Sequence, residues 1–414
     1  MKFSVVNLGC KVNRVESDSL ALSYLNAGYD QTDIACADIV IVNTCTVTGE
    51  AERKTRKAVR RVLRESPAER ILVTGCAAEI NPEFFAELDP RVSVVSKHDI
   101  LDQHVATAQA DFAPEKLARV GGSFPTRVAV KVQDGCNHAC SYCIVHVARG
   151  RAWSRPLEEI EHEVAALGRA GVKEIVLTGI DLGSYRVEEH DQAIRLAGLL
   201  RRLLAYLDAN GCGDVRLRVS SIEPKSLDED FIDLLASTEG RICRHLHLPL
   251  QAGSNKVLRE MYRPYKREEF LSLVATLKQR IPGISLTTDI IVGFPGETDE
   301  EFRETCELCR EVGFSKLHVF RYSKREGTPA AARADQIAPE VKEERAKQLI
   351  AFGEQLRFEF ASGLIGREES IVVEQEGWGM TESYFKVNVS QSLKPGTLVC
   401  ASLTELDASG IFTL

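Results

Sequence analysis

Residues 133–143 (QDGCNHACSYC) place Cys136, Cys140 and Cys143 in a C-x3-C-x2-C run. Three thiolates inside eight residues can wrap one metal centre. A tetrahedral zinc ion takes a fourth ligand, which His138 or His146 could supply. A four-iron cluster held by three cysteines instead leaves one iron open for a small-molecule ligand. The run follows the first strand of an expected barrel, on the rim where barrel active sites sit, and that context favours the open cluster.

A second trio is scattered. Cys10, Cys45 and Cys76 each end a β-like run, in VNLGC, VNTC and VTGC. They stand 35 and 31 residues apart, about one strand–helix unit each. Strands of a parallel sheet point the same way, so their carboxyl ends share an edge. The three thiols are therefore expected to converge, with Gly9 and Gly75 letting a bulky ligand approach. The alternative is three unrelated buried cysteines. Recurrence at one structural position argues instead for a second three-cysteine iron–sulfur cluster.

Particular elements must position these groups. Over residues 1–108, β-like runs at 2–8, 38–43, 70–74 and 92–95 alternate with helical patterns at 14–26, 50–64 and 82–88. That rhythm predicts a doubly wound parallel sheet. Residues 111–126 (DFAPEKLARVGGSFPT) break the periodicity, and a linker is expected over 109–125. Over 126–354 the alternation resumes six times, with strands near 128–132, 174–178, 215–219, 245–250, 285–292 and 316–322. Six units fit a partial (β/α)6 barrel. A helix over 339–362 leads to a tail domain, 355–414, with short strands at 369–375, 384–389, 397–403 and 410–414. These fit a small all-β barrel. The chain is expected to be α/β with three domains.

Composition agrees. At 414 residues, 44% hydrophobic and 27% charged, the chain matches ordinary globular protein and excludes collagen-like, disordered and membrane-spanning classes. Residues 8–10 (LGC) look like a lipoprotein processing box, but the preceding apolar stretch is too short for a signal, so a cytoplasmic protein is expected. The net charge of −8 gives no general attraction to nucleic acid, and an RNA site must be a local patch. Twelve cysteines are too few for a disulfide scaffold in a chain of this length.

The C-x3-C-x2-C loop, with Tyr142 before its last cysteine, resembles the radical S-adenosylmethionine (SAM) superfamily. There the open iron chelates SAM, and an electron from the cluster cleaves it to a 5′-deoxyadenosyl radical. Two cysteine trios, the six-unit barrel and the β tail together resemble the methylthiotransferase family. The matching segments are 7–17 (NLGCKVNRVES), 43–48 (NTCTVT), 220–224 (SSIEP), 245–255 (HLHLPLQAGSN), 287–298 (TTDIIVGFPGET) and 322–330 (YSKREGTPA). Residues 8–13 (LGCKVN) look most like the branch acting on threonylcarbamoyladenosine in tRNA. Sister branches act on isopentenyladenosine or on a ribosomal-protein aspartate. The resemblance implies two [4Fe-4S] clusters facing one cavity, SAM as methyl and radical source, and replacement of the hydrogen at carbon-2 of the adenine. It also implies a tRNA anticodon stem-loop as partner, an electron donor such as flavodoxin or ferredoxin, a monomer, no membrane, and a TRAM-like tail. A zinc-cysteine RNA-binding protein without catalysis is the alternative from another class.

Weaker signals fill in the site. Residues 53–64 (RKTRKAVRRVLR) put seven basic side chains on one helix, and Arg53, Lys57, Arg60 and Arg61 are candidates for tRNA phosphate. Arg149 and Arg151, after the cluster loop, are candidates for the anticodon stem. From Arg367 onward, three basic residues face seven acidic ones, so the tail is a poor phosphate binder and is expected to position or cover the active site. Tyr142, Gly179, Glu223, Gln251, Asp289 and Gly293 are candidates for contact with SAM or substrate. Cys306 and Cys309 share a helical stripe with Phe302 and Val312 and read as core. His245 and His247 are expected to line the pocket, without zinc.

Overall fold

A computed structural model describes residues 1–97, 99–100, 116, 120 and 126–414. The chain divides into two units, Met1–Pro125 with Asp134–His138 and Cys143–Ala152, and Thr126–Gln133 with Ala139–Tyr142 and Trp153–Leu414. Apart from residues 116 and 120, the linker expected over 109–125 lies outside the described residues.

In the first unit, β1 (Lys2–Asn7), β2 (Asp30–Gln31), β3 (Ile39–Thr44), β4 (Arg70–Gly75) and β5 (Val92–Val94) form a parallel sheet in the order β2-β1-β3-β4-β5. Alternate side chains of a strand face opposite sides. Val40 and Val42 therefore meet Val59 and Val62 of α2 (Gly49–Glu65), while Ile39 and Ile41 meet Leu20, Ala21 and Tyr24 of α1 (Lys11–Asn26). Burial on both faces explains why β3 opens IVIV with no polar alternation. Two short helices follow β4, α3 (Cys76–Ile80) and α4 (Pro82–Ala86). The first, at five residues, is too short to leave a periodic pattern. A further short helix, α5 (Val145–Arg149), packs on α3.

The second unit carries six parallel strands, β6 (Arg127–Lys131), β7 (Glu174–Thr178), β8 (Arg216–Val219), β9 (His245–His247), β10 (Ser285–Val292) and β11 (Lys316–Arg321). The first three pair side by side, as do the last three. Parallel bridges Leu217–Ile242 and Ser221–His247 join the halves, giving the expected six-unit partial barrel in sequential order. Helices α6 (Leu157–Arg169), α7 (Leu196–Ala209), α8 (Glu229–Ser237), α9 (Asn255–Glu260), α10 (Arg267–Arg280) and α11 (Asp299–Val312) connect the strands. On α11, Thr298 and Glu301 form a reciprocal N-terminal cap. An antiparallel hairpin, Arg186–Glu189 with Gln192–Arg195, was not expected; its strands are mostly polar and carry no alternation.

After α12 (Pro339–Ser362) come β12 (Glu368–Gln375), β13 (Trp378–Thr381), β14 (Lys386–Asn388), β15 (Leu398–Ser402), β16 (Glu405–Leu406) and β17 (Phe412–Thr413). They form one curled sheet, ordered β15-β12-β13-β14-β17-β16, around Ile371, Val373, Phe385, Leu403 and Phe412. A register shift between Val373 and Gln375 helps bend it.

This sheet docks on the strand beginnings of the barrel. Arg216 donates to Ser370 O at 2.6 Å and Met380 O at 3.1 Å. Arg218 donates to Glu382 O at 2.8 Å and Thr381 O at 3.2 Å. Fully buried Glu174 accepts from both guanidiniums. Burial opposes its ionisation, but Arg218 and Arg216 hold it well below the usual carboxylate range. The Tyr384 ring stacks on His245 at 5.1 Å and lies under Arg218 at 4.9 Å. Of the two expected roles, positioning or covering the active site, the covering role is corrected: the tail closes the opposite end, where buried charges on β7 and β8 need partners. His245 correspondingly faces the tail.

Candidate functional site

The scattered cysteines come together as the parallel sheet requires. Asn7, Asn43 and Thr74 stand in register on β1, β3 and β4, and Cys10, Cys45 and Cys76 follow just beyond. Gly9 lies at φ 106°, and a Cβ there would fall 2.3 Å from Cys45 Cβ and 2.4 Å from its Sγ, so only glycine fits this approach. The hub is Asn13, fully buried on α1. Its Nδ2 donates to Leu8 O at 3.0 Å and Thr44 O at 2.7 Å, fixing the chain before Cys10 and Cys45. Its Oδ1 lies 3.6 Å from Cys10 Sγ and 4.0 Å from Cys76 Sγ. Lys97 Nζ donates to Cys76 Sγ at 3.1 Å. Burial pushes the Cys10 thiol up, against Asn13 and Arg149.

The cluster loop is gripped at several points. Cys136 N–H donates to Gly150 O at 3.1 Å, and Gly135, at φ 71°, would place a Cβ 2.1 Å from Arg151 O. Backbone N–H groups of His138 and Val145 point at Cys136 Sγ and Cys143 Sγ, each at 3.4 Å. Arg263 Nη1 donates to Cys140 Sγ at 3.3 Å, and its other amino group pairs with Glu223. Burial works against that guanidinium, yet the Glu223 carboxylate beside it keeps it charged. Ser141 is tied to Met261 O and Glu260 O. Among the described residues, no group of three His, Cys, Asp or Glu side chains could hold a single metal ion. In a four-iron cluster each cysteine binds a different iron, so the thiols need not meet at one point. Both trios fit that chemistry.

Residues 130–309 match the radical SAM superfamily, and residues 2–96 match a family described as uncharacterized protein family UPF0004. The threonylcarbamoyladenosine tRNA methylthiotransferase MtaB of Bacillus subtilis is 39% identical over 405 residues, spanning 92% of this chain and 88% of that protein. The chain belongs to the radical SAM methylthiotransferase family. Another relative of this methylthiotransferase, the tRNA-2-methylthio-N(6)-dimethylallyladenosine synthase of Acetivibrio thermocellus, is 35% identical over 88% of this chain and 79% of its own. Among solved structures, the radical SAM methyltransferase TsrM of Kitasatospora setae shares the fold, with TM-score 0.56 and 18% identity over 80% of this chain and 77% of that one.

In this methylthiotransferase several expected contacts have other partners. Arg149, expected at the anticodon stem, has a side chain only 1% exposed. It donates to Glu16 at 2.9 Å, Asp134 at 2.8 Å and Asn13 Oδ1 at 2.7 Å. Burial opposes its charge, but Cys76, Glu16 and Asp134 keep it protonated, and it is removed from the RNA-facing set. Gly179 abuts Gln133, with a Cβ position 2.7 Å from its Oε1, and Gly293 abuts Lys342 at 2.4 Å from Cγ. Packing within the chain thus explains both glycines. Glu223 serves Arg263, Asp289 Oδ1 lies 3.3 Å from His247 Nε2, and Gln251, at φ 70°, bonds the backbone of Asp289 and Ile291.

On α2, Arg56 pairs with Glu52 and Arg61 with Glu65, whereas Arg53, Lys57 and Arg60 form an exposed stripe with no ion pair among the described residues. Arg151 is exposed. Burial pushes the Cys306 and Cys309 thiols up, Cys309 lying in the core as expected and Cys306 only half-buried. Sequence reasoning missed Asn13, Lys97 and Arg263. Asn13 stood in the quoted motif; the others act across 21 and 123 residues, and nothing local signals them.

Proposed function

We propose that this enzyme methylthiolates carbon-2 of N6-threonylcarbamoyladenosine beside the anticodon of tRNA. It would act in the cytoplasm as a monomer, with electrons from a flavodoxin- or ferredoxin-type donor. The observation that carries the reading is the gathering of Cys10, Cys45 and Cys76 about Asn13 in a chain that also holds the C-x3-C-x2-C loop. The hydrogen at carbon-2 is too weakly acidic for any acid–base pair here. A four-iron cluster on Cys136, Cys140 and Cys143, with SAM, supplies the radical chemistry instead. Arg263 holds Cys140 and Glu223 in one buried network, which fixes the loop's middle thiol. Asn13 fixes the approach of the other trio, which would hold the second four-iron cluster. Arg53, Lys57 and Arg60 offer an unneutralised stripe for tRNA phosphate, with Arg151 near the loop.

The identity to the relative from Bacillus subtilis and the segment LGCKVN support threonylcarbamoyladenosine over isopentenyladenosine. Mass spectrometry of tRNA nucleosides from a deletion strain tests the choice. The methylthio-threonylcarbamoyl nucleoside should vanish while the methylthio-isopentenyl form persists. The reverse pattern would assign the sister substrate, and no change in either would refute a tRNA substrate.

A further inference from the structure

The geometry points to Tyr262 as a platform on which a base of the substrate RNA stacks. This rests on the tRNA reading above and names a residue that would recognise the substrate. Helix α9 ends in a Schellman turn: Tyr262 N–H bonds Arg259 O at 3.0 Å and Arg263 N–H bonds Leu258 O at 2.9 Å. The residue after such a cap must turn left-handed, and glycine is the usual occupant because a side chain is strained there. Here it is a tyrosine at φ 59°.

Among the described residues, no ring or cation contact holds the Tyr262 side chain in return. Tyr384, the other left-handed tyrosine, is held by His245 and two arginines. Tyr262 is 58% exposed, and its ring has no ring or cation partner among the described residues.

The position is next to the chemistry. Glu260 O and Met261 O hold Ser141, at 2.7 Å and 3.1 Å, and Arg263 bonds Cys140 Sγ. Tyr262 sits between residues that clasp the cluster loop. Arg259 and Lys266, both exposed and without ion pairs among the described residues, flank it within four residues. An exposed aromatic between exposed cations is how single-stranded nucleic acid is held: the ring takes a base and the cations take phosphates. A purine could also come from SAM, but flanking cations suit a phosphate backbone, which SAM lacks.

The test uses anaerobically purified, cluster-loaded enzyme with Tyr262→Gly and Tyr262→Phe. Affinity is measured for an anticodon stem-loop carrying threonylcarbamoyladenosine and separately for SAM, and melting temperature is recorded. Tyr262→Gly should weaken RNA binding about tenfold. It should leave SAM binding within about twofold, since the platform is placed outside the cofactor site. It should raise the melting temperature by about 1 °C, because it relieves the turn. Tyr262→Phe should bind RNA like wild type. Unchanged RNA affinity in Tyr262→Gly, with wild type binding normally, overturns this inference alone. Weakened SAM binding with RNA affinity intact also overturns it, by giving the ring to the cofactor. Wild-type enzyme that does not bind the stem-loop overturns the substrate reading and this inference together.

Discussion

Asn13 and Arg149 are where one side chain determines the most. The asparagine amide holds the turns before Cys10 and Cys45 from one face and meets two thiols with the other. An amide can flip; the Arg149 bond to Oδ1 fixes which way it points. Arg149→Met would leave Glu16 and Asp134 buried beside an uncharged side chain. Breaking a buried ion pair in this way costs about 3–5 kcal/mol. Thermal unfolding of the variant should show that loss, with Arg149→Lys recovering part of it; a melting curve like wild type would mean the two acids find other partners. The gathering of Cys10, Cys45 and Cys76 was legible because the three end successive parallel strands. Arg149 was misread as surface because its partners lie up to 136 residues away, and only the fold brings them near.

Helix α2 shows how a pattern visible in sequence is edited by geometry. Seven basic residues among the twelve of 53–64 suggested one continuous patch. Helical spacing divides them, since residues four apart meet and pair. Glu50 pairs with Lys54, Glu52 with Arg56, and Glu65 with Arg61 and Arg64, leaving Arg53, Lys57 and Arg60. Replacing those three with alanine should reduce the slope of log affinity against log salt by about one per lost contact. Filter-binding titrations from low to high salt would measure it, and an unchanged slope would place the RNA elsewhere. The strands and long helices were legible from periodicity. The hairpin at Arg186–Arg195 and β13 were not, because polar residues or glycines erase the alternation.

Over the whole molecule, the tail sheet and barrel share a buried ionic junction centred on Glu174. Its folded carboxyl is held below its unfolded range, so its contribution to stability is present above about pH 4.3, the ordinary glutamate value, and is lost as pH falls further. Glu174→Gln removes the anion between Arg216 and Arg218, should cost about 3–5 kcal/mol at pH 7, and should flatten the acid limb of the stability profile. Urea midpoints measured from pH 7 to pH 3 would reveal it; parallel profiles for variant and wild type would remove Glu174 from the junction. Composition foretold an acidic tail ill suited to phosphate. It could not foretell where the tail docks, since each charged partner in Arg216, Arg218 and Arg127 reads alone as an ordinary strand residue.

Iron and sulfide analysis of the anaerobically reconstituted protein tests the central claim, that two cysteine trios each hold a four-iron cluster. Wild type should contain about eight iron and eight sulfide per chain, and the triple variant Cys10→Ala, Cys45→Ala, Cys76→Ala about four of each, by the composition of one such cluster. Equal iron in the two proteins, or zinc in place of iron, would contradict the account.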